Sequence, residues 1–235
     1  PYITGGLAGW QDALRAAVAG GADAVEIGIP FSDPVMDGPI IQQASQAALD
    51  AGATPVSVLH EVRSLDVSVP LAVMLYYNTV HHAGHERFAA QLHDAGIVAA
   101  IVPDLPLEEA GPWCAAADAA GIETVMLAAP TAPDDRLPRI AARARGFVYS
   151  VGLLGVTGER ATLADTATAL AARLKAATDV PVLVGVGVSN AEQAVAAGRV
   201  ADGVVMGASV VRRLLESGAD AVGDYVGEVR QALDA

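Results

Sequence analysis

The feature that most constrains the fold is a unit that repeats along the chain: an Ala-rich helical segment, a stop containing Gly, and a short run of Val, Ile and Leu. Gly after a last helical turn can adopt the left-handed conformation that ends a helix. The stops are AGGAD (19–23), DAGAT (50–54), DAGI (94–97), AAGIE (119–123), RARGF (143–147) and AAGRVADG (196–203). Because the apolar runs between them are nearly continuous, they indicate parallel strands that helices cover on both faces.

Eight such strands are predicted, each followed by a helical segment. They are PYITGG (1–6), AVEIGI (24–29), PLAVMLYY (70–77), VAAIVPD (98–104), IETVML (122–127), FVYSV (147–151), PVLVGV (181–186) and DGVVMG (202–207). TLAD (162–165) and SNAE (189–192) have the pattern of capping boxes and predict two helix starts.

Eight βα units in 235 residues favour an α/β fold with one domain, a (β/α)₈ or TIM barrel over residues 1–235. The rival is a doubly wound open sheet, which usually carries G-x-G-x-x-G in its first βα turn. The opening PYITGGLAGW lacks that motif, so the barrel is preferred. Pro1 already lies on the first predicted strand, and we therefore expect the leading helix that would cover the barrel floor to be absent.

Composition narrows the choice of partners and compartment. The hydrophobic fraction of 53% is sufficient for a large core, and the net charge of −13 argues against nucleic acids and anionic membrane surfaces. The single cysteine, Cys114, cannot form an internal disulfide, which favours a reducing, cytoplasmic location. The longest stretch without Asp, Glu, Lys or Arg, 67–85, is interrupted by Pro, Asn and three His, so no membrane span is predicted.

Two carboxylates stand out in EIGIPFSDPVMDG, residues 26–38. Side chains alternate along a strand, so if Val25 and Ile27 face the helices, Glu26 faces the barrel interior. No Arg or Lys lies in any predicted strand to neutralise Glu26, and an unpaired interior carboxylate is costly unless it has a function. Asp37 follows in the loop at the C-terminal rim, where barrels of this kind place their chemistry, although Asp-Gly is also an ordinary turn signal.

The last three βα loops are rich in Gly and predict an anion site without positive charge. They are GLLGVTG (152–158), GVGVSN (185–190) and GAS (207–209). Backbone amides and a helix N-terminus at this end of a barrel can hold a phosphate group, whereas one Gly-rich loop alone would be no more than a turn.

Other chemistries find little support in the sequence. Lys175 is the only lysine and lies in the helix after strand 6, so no interior amine is available for a Schiff base. The HHAGH cluster (81–85) is interpreted as a solvated loop, and no metal site is predicted. Neither a nucleophile elbow nor a P-loop is present. Cofactor-free acid–base catalysis on a phosphorylated substrate remains.

The motif EIGIPFSDPVMDGPIIQ, together with PYITGG, IVPDLP, GVTG and GAS, resembles the tryptophan synthase α subunit family through nearly the whole chain. The resemblance implies cleavage of indole-3-glycerol phosphate to indole and glyceraldehyde 3-phosphate, and tryptophan biosynthesis as the setting. It also implies a β subunit partner that contains PLP, in an αββα heterotetramer, with no cofactor in this chain.

The resemblance assigns roles to particular residues. Glu26 would be the general acid–base, and Asp37 would accept a hydrogen bond from the indole N–H. The substrate-binding residues would be Tyr2, Tyr76, Tyr149 and Thr157. The phosphate would be held by amides of Gly158, Gly187, Gly207 and Ala208. The family commonly has Ser where this chain has Ala208, which removes or moves a hydroxyl contact.

Two alternatives stay open at this point. The chain could be a stand-alone indole-3-glycerol-phosphate lyase that releases free indole, or a non-catalytic barrel that only activates a β partner. The intact acidic pair speaks against the second alternative.

Overall fold

The computed structural model describes residues 1–151, 165–185 and 187–235, with the side chain of Asp165 left out. Within these residues the chain forms eight strands and eleven helices. The strands are β1 (Tyr2–Thr4), β2 (Val25–Gly28), β3 (Leu71–Met74), β4 (Ala99–Ile101), β5 (Glu123–Ala128), β6 (Val148–Ser150), β7 (Val182–Val184) and β8 (Gly203–Val204). The helices are α1 (Trp10–Ala19), α2 (Pro39–Asp50), α3 (Pro55–Val62), α4 (Tyr77–Ala83), α5 (His85–Asp94), α6 (Gly111–Ala119), α7 (Leu137–Arg143), α8 (Asp165–Lys175), α9 (Ala191–Gly198), α10 (Ala208–Ser217) and α11 (Ala219–Leu233).

The strands are parallel and pair in sequence order, from β1 to β8. The Tyr2 backbone N–H donates to the Met206 carbonyl oxygen at 2.8 Å, which joins the first strand to the segment just after the eighth. This hydrogen bond closes the sheet on itself, and the TIM barrel predicted from the sequence is confirmed. The first element described is β1, which begins at Tyr2.

Alternate residues of each strand face opposite sides of the barrel wall. Outward-facing side chains such as Val25, Ile27 and Val73 belong to the cluster that includes the helices. The inner side chains form a separate cluster that includes Ala72, Ile101 and Val125. The partly buried Phe147 and Tyr149 pack against this inner cluster.

Gly ends most helices as the sequence predicts. The positive φ angles lie at Gly21, Gly52, Gly96, Gly121 and Gly146, each in a predicted stop. Gly198 is different, because it is the last residue of α9 itself and packs near Leu233 of α11.

Of the two predicted capping boxes, one is displaced by one residue and the other lies mostly outside the described residues. The N-cap of α9 is Asn190, whose side chain accepts a hydrogen bond from the Gln193 backbone N–H, so the prediction of Ser189 as the cap was wrong by one residue. The Ser189 backbone N–H instead donates to the side-chain oxygen of Gln193 at 2.7 Å. The first three residues of TLAD (162–165) lie outside the described part of the chain. Among the described helices, none is both long and apolar enough to cross a bilayer.

Candidate active site

Glu26 lies in β2 and its side chain faces the barrel interior, as its alternation with Val25 and Ile27 predicts. It stands in register with Tyr2 of β1 and Ala72 of β3, and only 7% of its surface is exposed. A carboxylate in such an interior must be paired, protonated or solvated through a cavity.

A cavity of about 430 Å³ adjoins Glu26. Its walls include Ala72, Ile101 and Phe147, and at its rim lie Asp23 and Asp202. These two aspartates precede β2 and β8, so the cavity opens at the N-terminal ends of the strands.

The Tyr2 ring lies on the other side of Glu26. A Cβ atom at Gly28 would collide with the Tyr2 phenol, which shows that the ring extends across the inner face of β2 just beyond Glu26. Gly28 is thus needed for space, and the glycine in EIGI has a local reason.

No arginine or lysine side chain in the described residues forms a salt bridge or a hydrogen bond with Glu26. Burial raises the pKa of Glu26 to about 7, and the negative charge of Asp37 adds to this rise. A pKa near neutrality lets one carboxyl both give and take a proton at physiological pH.

Asp37 lies in the loop between β2 and α2 and is 6% exposed. Burial raises its pKa to about 6, and a hydrogen bond with Tyr76 acts in the opposite direction. The Gln42 side-chain amide donates to the Asp37 carbonyl oxygen at 2.7 Å, which ties the loop to the first turn of α2. The pKa values of both carboxyls are thus raised toward neutrality.

Tyr76 follows β3 and is 4% exposed. Its hydroxyl accepts a hydrogen bond from the Met36 backbone N–H at 3.0 Å, and its ring stacks on Phe31 with centroids 5.1 Å apart. The sequence placed Tyr76 in the wall of the substrate pocket, and in the structure its hydroxyl contacts the loop that carries Asp37.

Tyr2 and Tyr149 both project into the barrel and flank Glu26. Burial raises the pKa of each phenol, and the negative charge of Glu26 raises it further, so both are neutral hydroxyls. The Tyr149 hydroxyl donates to the Gly185 carbonyl oxygen at 3.4 Å. Tyr2 from β1 and Tyr149 from β6, both predicted to bind the substrate, therefore lie beside the Glu26 carboxyl from β2.

The predicted phosphate residues fall into two groups. Thr157 and Gly158 lie outside the described residues. Gly187 has a φ angle of 87°, in the region that favours glycine, and Gly207 immediately precedes α10, which begins at Ala208. The first backbone amides of a helix have no partner within it, so α10 offers donors to an anion at this end of the barrel.

The Ser209 hydroxyl has a different use. It is buried and donates to the Val188 carbonyl oxygen at 3.4 Å, which links the start of α10 to the loop after β7.

Two residues that shape the site, Gln42 and Gly185, were not identified from the sequence. Gln42 holds the Asp37 backbone, but a contact five residues apart across a helix start has no recognisable pattern. Gly185 gives the Tyr149 ring its space, because a Cβ atom there would collide with that ring. A glycine at an inner position of a strand was the available signal.

Lys175, His85 and Cys114, which the sequence did not assign to the site, are found in other environments. Lys175 pairs with Asp202 at 2.7 Å, outside the barrel interior. The His85 ring is hydrogen-bonded to the Tyr77 hydroxyl at 2.9 Å, and Cys114 is a buried free thiol. In the described part of the chain, no group of three or more His, Cys, Asp or Glu side chains could hold a metal ion.

Comparison with protein families gives one clear match. A family model described as tryptophan synthase alpha chain matches residues 1–231. The tryptophan synthase alpha chain of Streptomyces coelicolor is 45% identical over 95% of this chain and 82% of its own length. That of Thermobifida fusca is 47% identical over 87% of this chain and 77% of its own length.

Solved structures agree with the curated relatives. A structure of Mycobacterium tuberculosis tryptophan synthase matches with a TM-score of 0.93 and 36% identity, over 100% of this chain and 91% of that one. Tryptophan synthase subunit alpha from Legionella pneumophila matches with a TM-score of 0.89 and 32% identity, over 100% of this chain and 91% of that one.

Proposed function

The chain belongs to the tryptophan synthase alpha chain family, and on that premise we propose that Glu26 and Asp37 are its catalytic residues. The chain is a lyase that cleaves indole-3-glycerol phosphate to indole and glyceraldehyde 3-phosphate, a step of tryptophan biosynthesis. The observation that supports the assignment most is the buried, interior Glu26 carboxyl, which no side-chain cation in the described residues neutralises and whose pKa is raised to about 7.

The reaction begins with the protonated form of Glu26, which gives its proton to C3 of the indole ring. Asp37 in its ionised form accepts a hydrogen bond from the indole N–H and stabilises the cation that forms on the ring. The raised pKa of Glu26 and the lower pKa of Asp37 suit these two roles, because one carboxyl must hold a proton while the other is charged.

Glu26, now ionised, then takes the proton from the glycerol hydroxyl on the carbon attached to the ring. The carbon–carbon bond breaks, its electron pair returns to the indole ring, and the hydroxyl oxygen becomes the aldehyde oxygen of glyceraldehyde 3-phosphate. The net proton transfer runs from the hydroxyl to C3, so Glu26 ends the cycle protonated again. Acid–base groups of this type each contribute about 10²- to 10⁴-fold to the rate.

The aromatic part of the substrate is proposed to lie against Tyr2, Tyr76 and Tyr149. The buried rings of Tyr2 and Tyr149 beside Glu26 support this arrangement. Thr157 is proposed to close over the substrate and contact Asp37. This residue lies outside the described part of the chain, so the proposal rests on the resemblance of GVTG alone.

The phosphate group is proposed to bind the backbone amides of Gly158, Gly187, Gly207 and Ala208. The N-terminus of α10 and the left-handed conformation of Gly187 support this site. Since these donors are uncharged, the net charge of −13 does not conflict with an anionic substrate.

The chain pairs with the tryptophan synthase β subunit, which receives the indole. An αββα assembly, with PLP confined to the β subunit and no cofactor in this chain, is part of the proposal. A cytoplasmic location is also proposed, from the single cysteine, Cys114. We further infer that residues 1–235 act as one domain, because the eight strands pair consecutively.

An indole-release assay tests the function and separates the alternatives. The purified chain is incubated with indole-3-glycerol phosphate, alone and with a β subunit. Slow release that the β subunit accelerates strongly is the expected result. Full activity without the β subunit would favour a stand-alone lyase. A chain that stimulates the β subunit but releases no indole would be a non-catalytic activator and would contradict the catalytic assignment.

A further inference from the structure

The loop after β7 is held by a buried glutamine from the helix that follows it. Gln193 lies in the first turn of α9, and 7% of its surface is exposed. Its side-chain oxygen accepts hydrogen bonds from the Ser189 backbone N–H at 2.7 Å and from the Ser189 hydroxyl at 2.9 Å. Ser189 stands two residues after Gly187, one of the proposed phosphate-binding residues. Gln193 therefore fixes the segment that follows this glycine.

The same segment has a second anchor, on the helix after β8. Ser209 lies in the first turn of α10 and is 1% exposed. Its hydroxyl donates to the carbonyl oxygen of Val188, the residue between Gly187 and Ser189, at 3.4 Å. Two consecutive residues of one loop are thus bound from the first turns of two different helices.

These contacts join two parts of the proposed phosphate site. Gly187 belongs to the loop after β7, whereas Ala208 is the first residue of α10. Amides from both can hold one phosphate group only if the loop and the helix keep a fixed spacing. The Ser209–Val188 hydrogen bond spans the two directly, and Gln193 holds the next residue of the loop in place.

The uncharged nature of the proposed donors makes this spacing important. A backbone N–H attracts an anion strongly only at hydrogen-bond distance and in the right direction. If the loop were ordered only when the phosphate binds, the entropic cost of ordering it would be subtracted from the affinity. Anchors that order the loop beforehand therefore strengthen binding without touching the ligand.

We propose that Gln193 and Ser209 are positioning residues, which hold the loop after β7 against the N-terminus of α10 and so set the geometry of the phosphate site. This rests on the proposed assignment of that site. The phosphate group is not altered in the cleavage, so its contacts stabilise the bound substrate and the transition state alike. Loss of an anchor should then raise KM and leave kcat nearly unchanged.

The first test uses the full chain with its β subunit and the substitution Gln193→Met, which keeps the length of the side chain but cannot accept the two hydrogen bonds. KM for indole-3-glycerol phosphate should rise about five- to tenfold, with kcat within twofold, since each lost hydrogen bond contributes roughly two- to tenfold. Ser209→Ala removes one long hydrogen bond and should raise KM about two- to threefold. The matched controls are Gln231→Met in α11 and Ser217→Ala at the end of α10, both at exposed positions, and they should leave KM unchanged.

A binding measurement makes the test independent of activity. The probes are inorganic phosphate and glycerol 3-phosphate, titrated calorimetrically into the wild type and each variant. Their dissociation constants should rise by about the same factors as KM, while the affinity for free indole, which has no phosphate group, should not change. Urea unfolding shows that each variant is folded, and Ser209→Ala, which loses a single oxygen atom, provides the test if Gln193→Met does not fold.

Unchanged phosphate affinity in the folded variants would overturn the inference. So would an equal loss of affinity for indole, because the substitutions would then disturb the whole pocket, and so would a fall in kcat with KM unchanged. A wild-type chain that binds neither phosphate compound would overturn it as well. A wild-type chain that binds them but releases no indole would instead contradict the proposed function, and the phosphate affinities of the variants would still decide the role of Gln193 and Ser209.

Discussion

Glu26 and Asp37 are buried carboxyls whose pKa values are raised to about 7 and about 6. Because the two charges interact, the two carboxyls lose their protons in two steps. Each apparent pKa is then a property of the pair and not of one residue. In the proposed mechanism the active form carries one proton, on Glu26, with Asp37 ionised.

The pH dependence of the reaction follows from these values. Activity should rise as Asp37 ionises near pH 6 and fall as Glu26 loses its proton near pH 7, so kcat/KM should have a narrow bell shape. Indole release measured from pH 4.5 to 9 checks this expectation. A rate that is flat between pH 5 and pH 8 would contradict the assignment of the two carboxyls.

Stability should also depend on the ionisation of Glu26. Its folded-state pKa is raised from 4.5 to about 7, so between these values the native state binds more protons than the unfolded state and stability falls as the pH rises. Glu26→Gln should therefore raise the free energy of unfolding at pH 8, by up to about 3 kcal/mol, and have little effect at pH 4.5.

Urea unfolding at the two pH values, for wild type and Glu26→Gln, measures that difference. Glu228→Gln, at an exposed position inside α11, is the control and should change neither value. Equal stability changes at pH 4.5 and pH 8 would show that the pKa of Glu26 is not raised.

Residue-level prediction succeeded where a local rule applied. The inward direction of Glu26 follows from alternation along a strand, and among the described residues the lack of an Arg or Lys partner follows from the lack of Arg and Lys in the strands. The hydrogen bond from the Met36 backbone N–H to the Tyr76 hydroxyl was not predicted, because the two residues are 40 positions apart in sequence. Only the path of the loop in space brings these groups together.

At the scale of single elements, α9 tests how well helix starts are understood. The Asn190 side chain accepts from the Gln193 backbone N–H at 2.8 Å and satisfies a donor that has no partner within the helix. Asn190→Ala should lower the free energy of unfolding by about 1 kcal/mol. Urea unfolding measures it, with the exposed Glu228→Ala in α11 as the control. A change no larger than that of the control would mean that this cap contributes nothing.

The strands and helix ends were largely predictable because their signals are local. Gly at a left-handed C-terminal position and a run of Val, Ile and Leu are readable from a few residues. The cap of α9 was misplaced because Ser189 and Asn190 are both good caps, and the choice depends on which side chain faces Gln193. The division of the segment after β3 into α4 and α5 was not predicted either, and Gly84 separates them with a φ angle of 85°.

On the scale of the whole molecule, α1 and α11 pack closely against each other on the outside of the barrel. A Cβ atom at Gly20, after α1, would lie 2.6 Å from the Gly223 carbonyl oxygen and 3.1 Å from the Gly227 nitrogen, both in α11. The two helices are therefore in backbone contact, and the Arg230–Asp23 ion pair at 2.9 Å lies at the same junction.

Gly20→Ala should separate α1 from α11 and destabilise the chain by about 1–3 kcal/mol, because a backbone oxygen cannot move aside as a side chain can. Its φ angle of −72° is open to alanine, so the expected loss comes from crowding alone. Gly111→Ala in α6 is the matched control, since open space surrounds that position, and it should be neutral or stabilise by about 0.5 kcal/mol. Equal effects in urea unfolding would contradict the close contact.

The barrel as a whole was predictable from eight repeated units, since that number and length leave few topologies. The contact between α1 and α11 was not, because glycines in helices look like ordinary weak positions in the sequence. The position of the Tyr2 ring across the inner face of β2 was also not predictable, because it depends on the space left by Gly28.

The most direct measurement compares indole release by the wild-type chain and by Glu26→Gln, each with the β subunit, alongside the affinity of each for a non-cleavable substrate analogue. Glutamine keeps nearly the same shape but cannot exchange a proton in this pH range. The account predicts that release falls at least 10²-fold while analogue affinity stays within a few-fold. Undiminished release by Glu26→Gln would show that this interior carboxyl is not the proton carrier.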